Sequence, residues 1–144
     1  MYRRRGNTIE LFLVHPGGPL YTGKDLGVWS IPKGEYTNGE DPLTVARREI
    51  EEETGARADG EFIALGTVKQ AGGKTVVVWA VEGDYDAGAI RSNTFVMEWP
   101  PKSGRRAEFP EVDRAEWFAP PEARQKLIPG QVAFIDRLCE ALGI

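Results

Sequence analysis

The clearest periodic stretch of the chain lies between Gly34 and Ala56. After Asp41-Pro42, the apolar residues Leu43, Ala46 and Ile50 recur on one arc when side chains are placed at about 100° per residue. Asp41 accepts a bond from an orphan backbone N–H, and Pro42 suits a first helical position whose donor is not needed. Gly55 suits a left-handed stop. The pattern predicts a helix from about Pro42 to Thr54. Upstream, Ile9, Leu11 and Leu13 alternate along Thr8 to Val14, and Gly6-Asn7 marks the turn of a hairpin with Met1 to Arg5.

Downstream, Glu61 to Gln70 and Lys74 to Gly83 read as a second hairpin joined by Ala71-Gly72-Gly73. Val76, Val78 and Ala80 fall on one face, and Val77, Trp79 and Val81 on the other. Apolar residues on both faces predict a strand covered on both sides. Asn93 to Trp99 reads as the next strand. Its breakers make Pro100 to Pro110 a loop, and Ala115 and Trp117 belong to a short strand. Pro120 to Leu127 is a short helix opened by prolines. Gln131 to Leu142 places Val132, Ile135, Leu138, Cys139 and Leu142 at helical spacing. Strands around one central helix, closed by a second, predict an α/β chain with a mixed sheet sandwiched between helices.

At 144 residues the chain reads as one domain, 1–144. Its formal charge of −4 argues against stable nucleic-acid binding. The single cysteine, Cys139, excludes an internal disulfide framework and fits a reducing compartment. No run reaches the ~18 apolar residues of a membrane span, and MYRRRGN lacks the apolar core of a signal peptide. A cytoplasmic protein is expected, of unspecified oligomeric state.

Beside the apolar arc of the helix stands a second arc of Glu49, Glu52 and Glu53. Like charges at this spacing destabilise an isolated helix by about 0.2–0.5 kcal/mol per pair. Two readings follow. The glutamates form a solvated face offset by Arg47 and Arg48, or they grip a divalent cation. Oxygen ligands of this type suit Mg²⁺, with Mn²⁺ as a substitute, rather than zinc.

The surroundings favour the second reading. Gly34, five residues, Glu40, seven residues, then Arg48-Glu49-Ile50, Glu52-Glu53 and Gly55 resemble the signature of the Nudix hydrolase family over 23 residues. The one departure is Ala56, where the family has a larger aliphatic residue. The resemblance implies a Nudix-type α/β/α sandwich and Mg²⁺-dependent phosphoanhydride hydrolysis. It assigns Glu52 and Glu53 as metal ligands and Glu49 as a further ligand or the general base. Arg48 and Glu40 become supports, and the Lys33 carbonyl a metal ligand. It also implies an additional glutamate shortly before a tryptophan-bearing strand. Glu111 fits that placement, with Glu98, Glu108 and Glu116 as alternatives. Pro32-Lys33-Gly34 is similar to members that act on long phosphate chains. It points to dinucleoside polyphosphates such as diadenosine tetraphosphate. Nucleoside triphosphates, oxidised ones included, are the alternative, and a non-catalytic nucleotide-binding module is the third reading.

Further candidates stand outside that signature. Lys33 reads as a mobile charge for a phosphate chain or as a surface lysine at a turn. Lys102, Arg105 and Arg106 put three cations on one loop, for a polyanion or for solvent. Trp29 either stacks on a base or fills the core. His15, the only histidine, is a base or the cap of a strand. Cys139 lies on an apolar stripe, which makes it filler rather than a nucleophile.

Overall fold

The structure, a computed structural model, describes residues 1–32, 39–57, 60–69 and 75–144, with backbone alone at 68, 69 and 75. Strand β1 (Tyr2–Arg5) turns through Gly6, at φ 59°, into β2 (Thr8–Pro16). Tyr2 pairs with Leu11 and Arg5 with Thr8, so the hairpin forms around the expected turn. The other edge of β2 pairs antiparallel with β7 (Val112–Phe118).

Strand β2 is buried on both faces, and this sets the layers. Ile9, Leu11 and Leu13 face a core shared with Trp29, Phe118, Ala123, Leu127, Ile135 and Leu138. Helix α2 (Pro120–Lys126) supplies Ala123, its C-cap is Leu127, and α3 (Ala133–Leu142) supplies Ile135 and Leu138. Phe12 and Val14 face a second core with Val112, Ala115, Tyr85, Ile90 and Trp117.

Strands β3 (Phe62–Lys69) and β4 (Thr75–Val81) form the expected second hairpin, with a bulge between Ala64 and Gly66. Residues 70–74, the expected turn, lie outside the described residues. A parallel bridge between Tyr2 and Glu82 joins this hairpin to the first sheet. Antiparallel ladders joined by isolated parallel bridges, together with the helices, give the α/β class and mixed sheet that the sequence predicts.

Helix α1 runs Pro42–Thr54, the predicted span. Its burial departs from the expected apolar arc: Ile50 is buried, but Leu43 and Ala46 are only half-buried. Val45 is only 3% exposed, although it lies on the side of the glutamates rather than on the apolar arc. The acidic side is therefore partly covered, at Val45 and Glu49, while Glu52 stays exposed.

The expected loop 100–110 is a loop only at its tip. Residues Arg106–Pro110 are strand β6, paired with β5 (Thr94–Glu98) from Thr94↔Pro110 to Glu98↔Arg106. The prolines mislead because they bracket the strand instead of interrupting its ladder. A two-stranded hairpin is marginal alone. This one is anchored at its base, where an ideal Cβ on Gly17 would lie 2.0 Å from the Pro110 carbonyl oxygen.

Candidate active site

Local chemistry fixes α1. The Asp41 carboxylate accepts from the Thr44 N–H at 3.3 Å and from the Thr44 hydroxyl at 3.0 Å. At the other end Gly55 takes φ 78° and donates its N–H to the Glu51 carbonyl at 2.7 Å. An added Cβ on Gly55 would also crowd Arg91 at 3.3 Å, so two constraints ask for glycine here. Thr54 is buried and donates to the Ile50 carbonyl, and its hydroxyl accepts from the Ala56 N–H at 3.0 Å. Ala56 is fully buried, so the smaller residue still closes the packing.

The acidic arc is not a solvated face throughout. The Glu49 side chain is 16% exposed, against 43% for Glu52. Burial pushes the Glu49 carboxyl above the usual range. The Glu52 charge adds to this, Arg48 opposes it, and Glu111 and Glu40 add smaller contributions. Arg48 spans the group. It donates to Glu40 at 3.1 Å, and its guanidinium nitrogens stand 4.0 Å from Glu49 and 3.9 Å from Glu52. One cation, Arg48, thus stands near three carboxylates.

Glu111 comes from the other side of the sequence. It follows β6, donates its N–H to the Asn93 carbonyl at 2.8 Å, and accepts from the Gly17 N–H at 2.9 Å through its own carbonyl. Asn93 in turn donates to the Glu52 carbonyl at 3.1 Å, and Arg91 to the Thr54 carbonyl at 2.7 Å. Residues 91–93 therefore tie the end of α1 to Glu111. Sequence reasoning missed this strap, since it works through backbone groups that no side-chain pattern reports.

Other candidates are placed less favourably. Trp29 is 1% exposed. Its indole N–H donates to Asp25 at 2.9 Å, and its ring meets Phe118 and His15 edge-on. It fills the core, which corrects the stacking alternative. His15 belongs to β2 rather than to the loop after it. It is buried, with Nδ1 2.8 Å from Asp113 and Nε2 2.7 Å from the Lys24 carbonyl. Both ring nitrogens are occupied, so a structural histidine replaces the base alternative. Lys102, Arg105 and Arg106 are exposed at the far end of the β5–β6 hairpin. Four residues separate Arg106 from Pro110 at the base, about 14 Å along a strand. Only a long ligand touches both these cations and the glutamates. Lys33 and Gly34 lie outside the described residues. Glu98 and Glu108 stand on the hairpin and Glu116 within β7. Cys139 is partly buried against the core, as filler.

Among the described residues, no three His, Cys, Asp or Glu side chains converge as a ready-made metal cage. The donor set still fits a hard divalent cation. It consists of carboxylate oxygens, adjacent on one helix, and the proton affinity of Glu49, raised by burial first and by the Glu52 charge second, is of the kind a bound cation lowers.

The NUDIX domain family matches residues 1–138. The chain belongs to the Nudix family. Its signature helix is α1, and Nudix hydrolases are pyrophosphohydrolases. Nudix hydrolase 7 of Arabidopsis thaliana is 43% identical over 53 residues, 37% of this chain and 18% of that protein. An RNA pyrophosphohydrolase of Rhodopseudomonas palustris is 36% identical over 59 residues, 35% of this chain and 34% of that protein. The matched part thus spans about a third or less of these relatives. Among solved structures, a C. elegans Ap4A hydrolase binary complex aligns at TM-score 0.68, 19% identity, covering 99% of this chain and 93% of the other. The NUDIX domain of Shewanella oneidensis NrtR, complexed with ADP ribose, aligns at 0.65 and 17%, covering 98% and 82%. At such identities these two establish the Nudix fold alone. No helix among the described residues is long and apolar enough to cross a membrane.

Proposed function

We propose that this Nudix protein hydrolyses a phosphoanhydride bond in nucleoside polyphosphates with Mg²⁺, and that dinucleoside polyphosphates such as diadenosine tetraphosphate are its favoured substrates. The observation that carries the reading is the partly covered acidic arc of α1, with Glu49 largely buried beside an exposed Glu52, and Glu111 brought within its electrostatic reach. A protein keeps such repulsion where a cation and a phosphate chain use it.

Nudix hydrolases generally use divalent metal ions. Glu52 and Glu53 would hold Mg²⁺, with Glu49 and Glu111 completing the set and the Lys33 carbonyl a further ligand. When bound, the ion neutralises phosphate oxygens and makes water more acidic. The chain's own part is positional. Arg48 orients Glu49 and Glu52 by charge-assisted contacts, and Glu40 holds Arg48 in turn. Glu49 or Glu111 accepts the proton of the attacking water. A buried carboxylate of raised proton affinity suits that work. Phosphoanhydride cleavage is mostly a matter of positioning and charge, which these groups supply.

The choice of a long phosphate chain rests on Pro32-Lys33-Gly34 and on the remote cations of the hairpin tip. The Ap4A hydrolase among the fold neighbours agrees with it. Nucleoside triphosphates, oxidised ones included, are the second reading. A panel of diadenosine tetraphosphate, nucleoside triphosphates and a 5′-triphosphorylated RNA oligonucleotide, with and without Mg²⁺, tests both. The proposal expects Mg²⁺-dependent turnover, highest in kcat/KM on diadenosine tetraphosphate. Preference for triphosphates moves the assignment to the second reading, and silence on all of them removes both.

A further inference from the structure

The turn that carries Glu111 is bonded on both sides by one side chain that the signature does not contain, Ser92. Asn93 is a single-residue bridge, its N–H on the Glu52 carbonyl at 3.1 Å and its carbonyl taking the Glu111 N–H at 2.8 Å. That carbonyl also receives the Ser92 hydroxyl at 2.7 Å. The same hydroxyl oxygen accepts the Val112 N–H at 3.1 Å. Ser92 thereby uses its one donor and an acceptor lone pair on the two sides of Glu111. Its hydroxyl clamps the Glu111 turn from below, while the Gly17 N–H holds the Glu111 carbonyl from the other side at 2.9 Å.

We propose that Ser92 is a positioning residue, whose hydroxyl sets the place of Glu111 against the glutamates of α1. The inference rests on the reading of Glu111 as a working carboxylate of the site. Without the hydroxyl, the buried Val112 loses its N–H partner and the Asn93 carbonyl loses one of its two donors. The backbone about Glu111 is then free to shift, and a small misplacement of a reacting group is costly in rate. Partners behind metal-site ligands typically contribute 10- to 100-fold in affinity or activity.

The test is a double-mutant cycle of Ser92→Ala with Glu111→Gln, assayed on diadenosine tetraphosphate with Mg²⁺. Ser92→Ala is expected to lower kcat about 10- to 100-fold with KM within about twofold. Ser92→Thr, which keeps the hydroxyl, recovers most of that loss. In the Glu111→Gln background Ser92→Ala has little further effect, because both changes act through one group. Equal fold-losses in the two backgrounds overturn the proposal, since a general structural defect multiplies through both. A Glu111→Gln loss with no Ser92→Ala loss overturns Ser92 alone. A harmless Glu111→Gln removes the reading of Glu111 and this inference with it. Should Ser92→Ala fail to fold, Ser92→Cys, similar in size and weak as a partner, takes its place in the cycle with the same expected outcomes.

Discussion

Replacing Glu49 by Gln should stabilise the metal-free protein, contrary to the usual effect of altering a largely buried side chain. In the absence of a cation, Glu49 faces Glu52 three residues on, with Glu111 and Glu40 contributing less. A like-charge pair at this spacing costs about 0.2–0.5 kcal/mol, so neutralising Glu49 relieves about that much. The loss of Arg48 at 4.0 Å opposes this, but that guanidinium is 45% exposed and such a contact is worth only a few tenths of a kcal/mol. Relief from burying a charge adds to the gain. For a domain of this size, about 0.2–0.5 kcal/mol raises Tm by roughly 1–2 °C. The pH dependence has a definite sign. The folded pKa of Glu49 is raised above its ordinary 4.5. The wild type is therefore unpenalised below that value, and loses stability as pH rises through the folded pKa. The two proteins should melt alike in acid and diverge toward neutrality. Saturating Mg²⁺ inverts the order, because a ligand at a hundredfold excess over Kd contributes about 2.7 kcal/mol and the variant has lost a ligand. Calorimetric scans at several pH values, in chelator and then in Mg²⁺, provide the assay. A lower Tm for Glu49→Gln in chelator at neutral pH, or an equal Mg²⁺ response in both proteins, refutes the reasoning.

Gly17→Ala places a Cβ 2.0 Å from the Pro110 carbonyl oxygen, and overpacking of this kind costs about 1–3 kcal/mol. It should lower Tm and, by displacing Glu111, reduce kcat; an unchanged kcat contradicts the placement of Glu111. Arg105→Gln with Arg106→Gln should raise KM on diadenosine tetraphosphate more than on a nucleoside diphosphate substrate, as steady-state kinetics will show, and an equal effect on both removes the role of the hairpin tip. Trp29→Phe should lower Tm by several degrees while leaving the preference among bases unchanged; a shift in that preference returns Trp29 to the substrate.

The span and caps of helix α1 were legible because their signals are local, whereas its buried side, which includes Val45, depends on distant partners. Asp41, Pro42 and Gly55 act within one turn of themselves, and each does in the structure what its chemistry implies. The first two hairpins were legible from alternation and glycine turns. Residues 106–110 were not, because Pro110 reads as a breaker while its ladder partner Thr94 lies far away in sequence. Trp29 and His15 were undecidable from sequence, since a core aromatic and a substrate-facing one have the same composition. Their partners Asp25, Asp113 and the Lys24 carbonyl decided them. The alignment of Glu49, Glu52 and Glu53 followed from helical spacing. The approach of Glu111 came from resemblance, and its physical cause, the 91–93 strap, became visible only in three dimensions.

The central claim is that the acidic side of α1 serves phosphoanhydride hydrolysis. The most direct measurement is release of nucleotide products from diadenosine tetraphosphate by the wild type and by Glu53→Gln, each with Mg²⁺ and with chelator. The account predicts turnover by the wild type in Mg²⁺, and its loss by about a hundredfold or more, of the order expected for removing a charge-stabilising group, both in chelator and in the variant. Turnover by Glu53→Gln near the wild-type level in Mg²⁺ would contradict it.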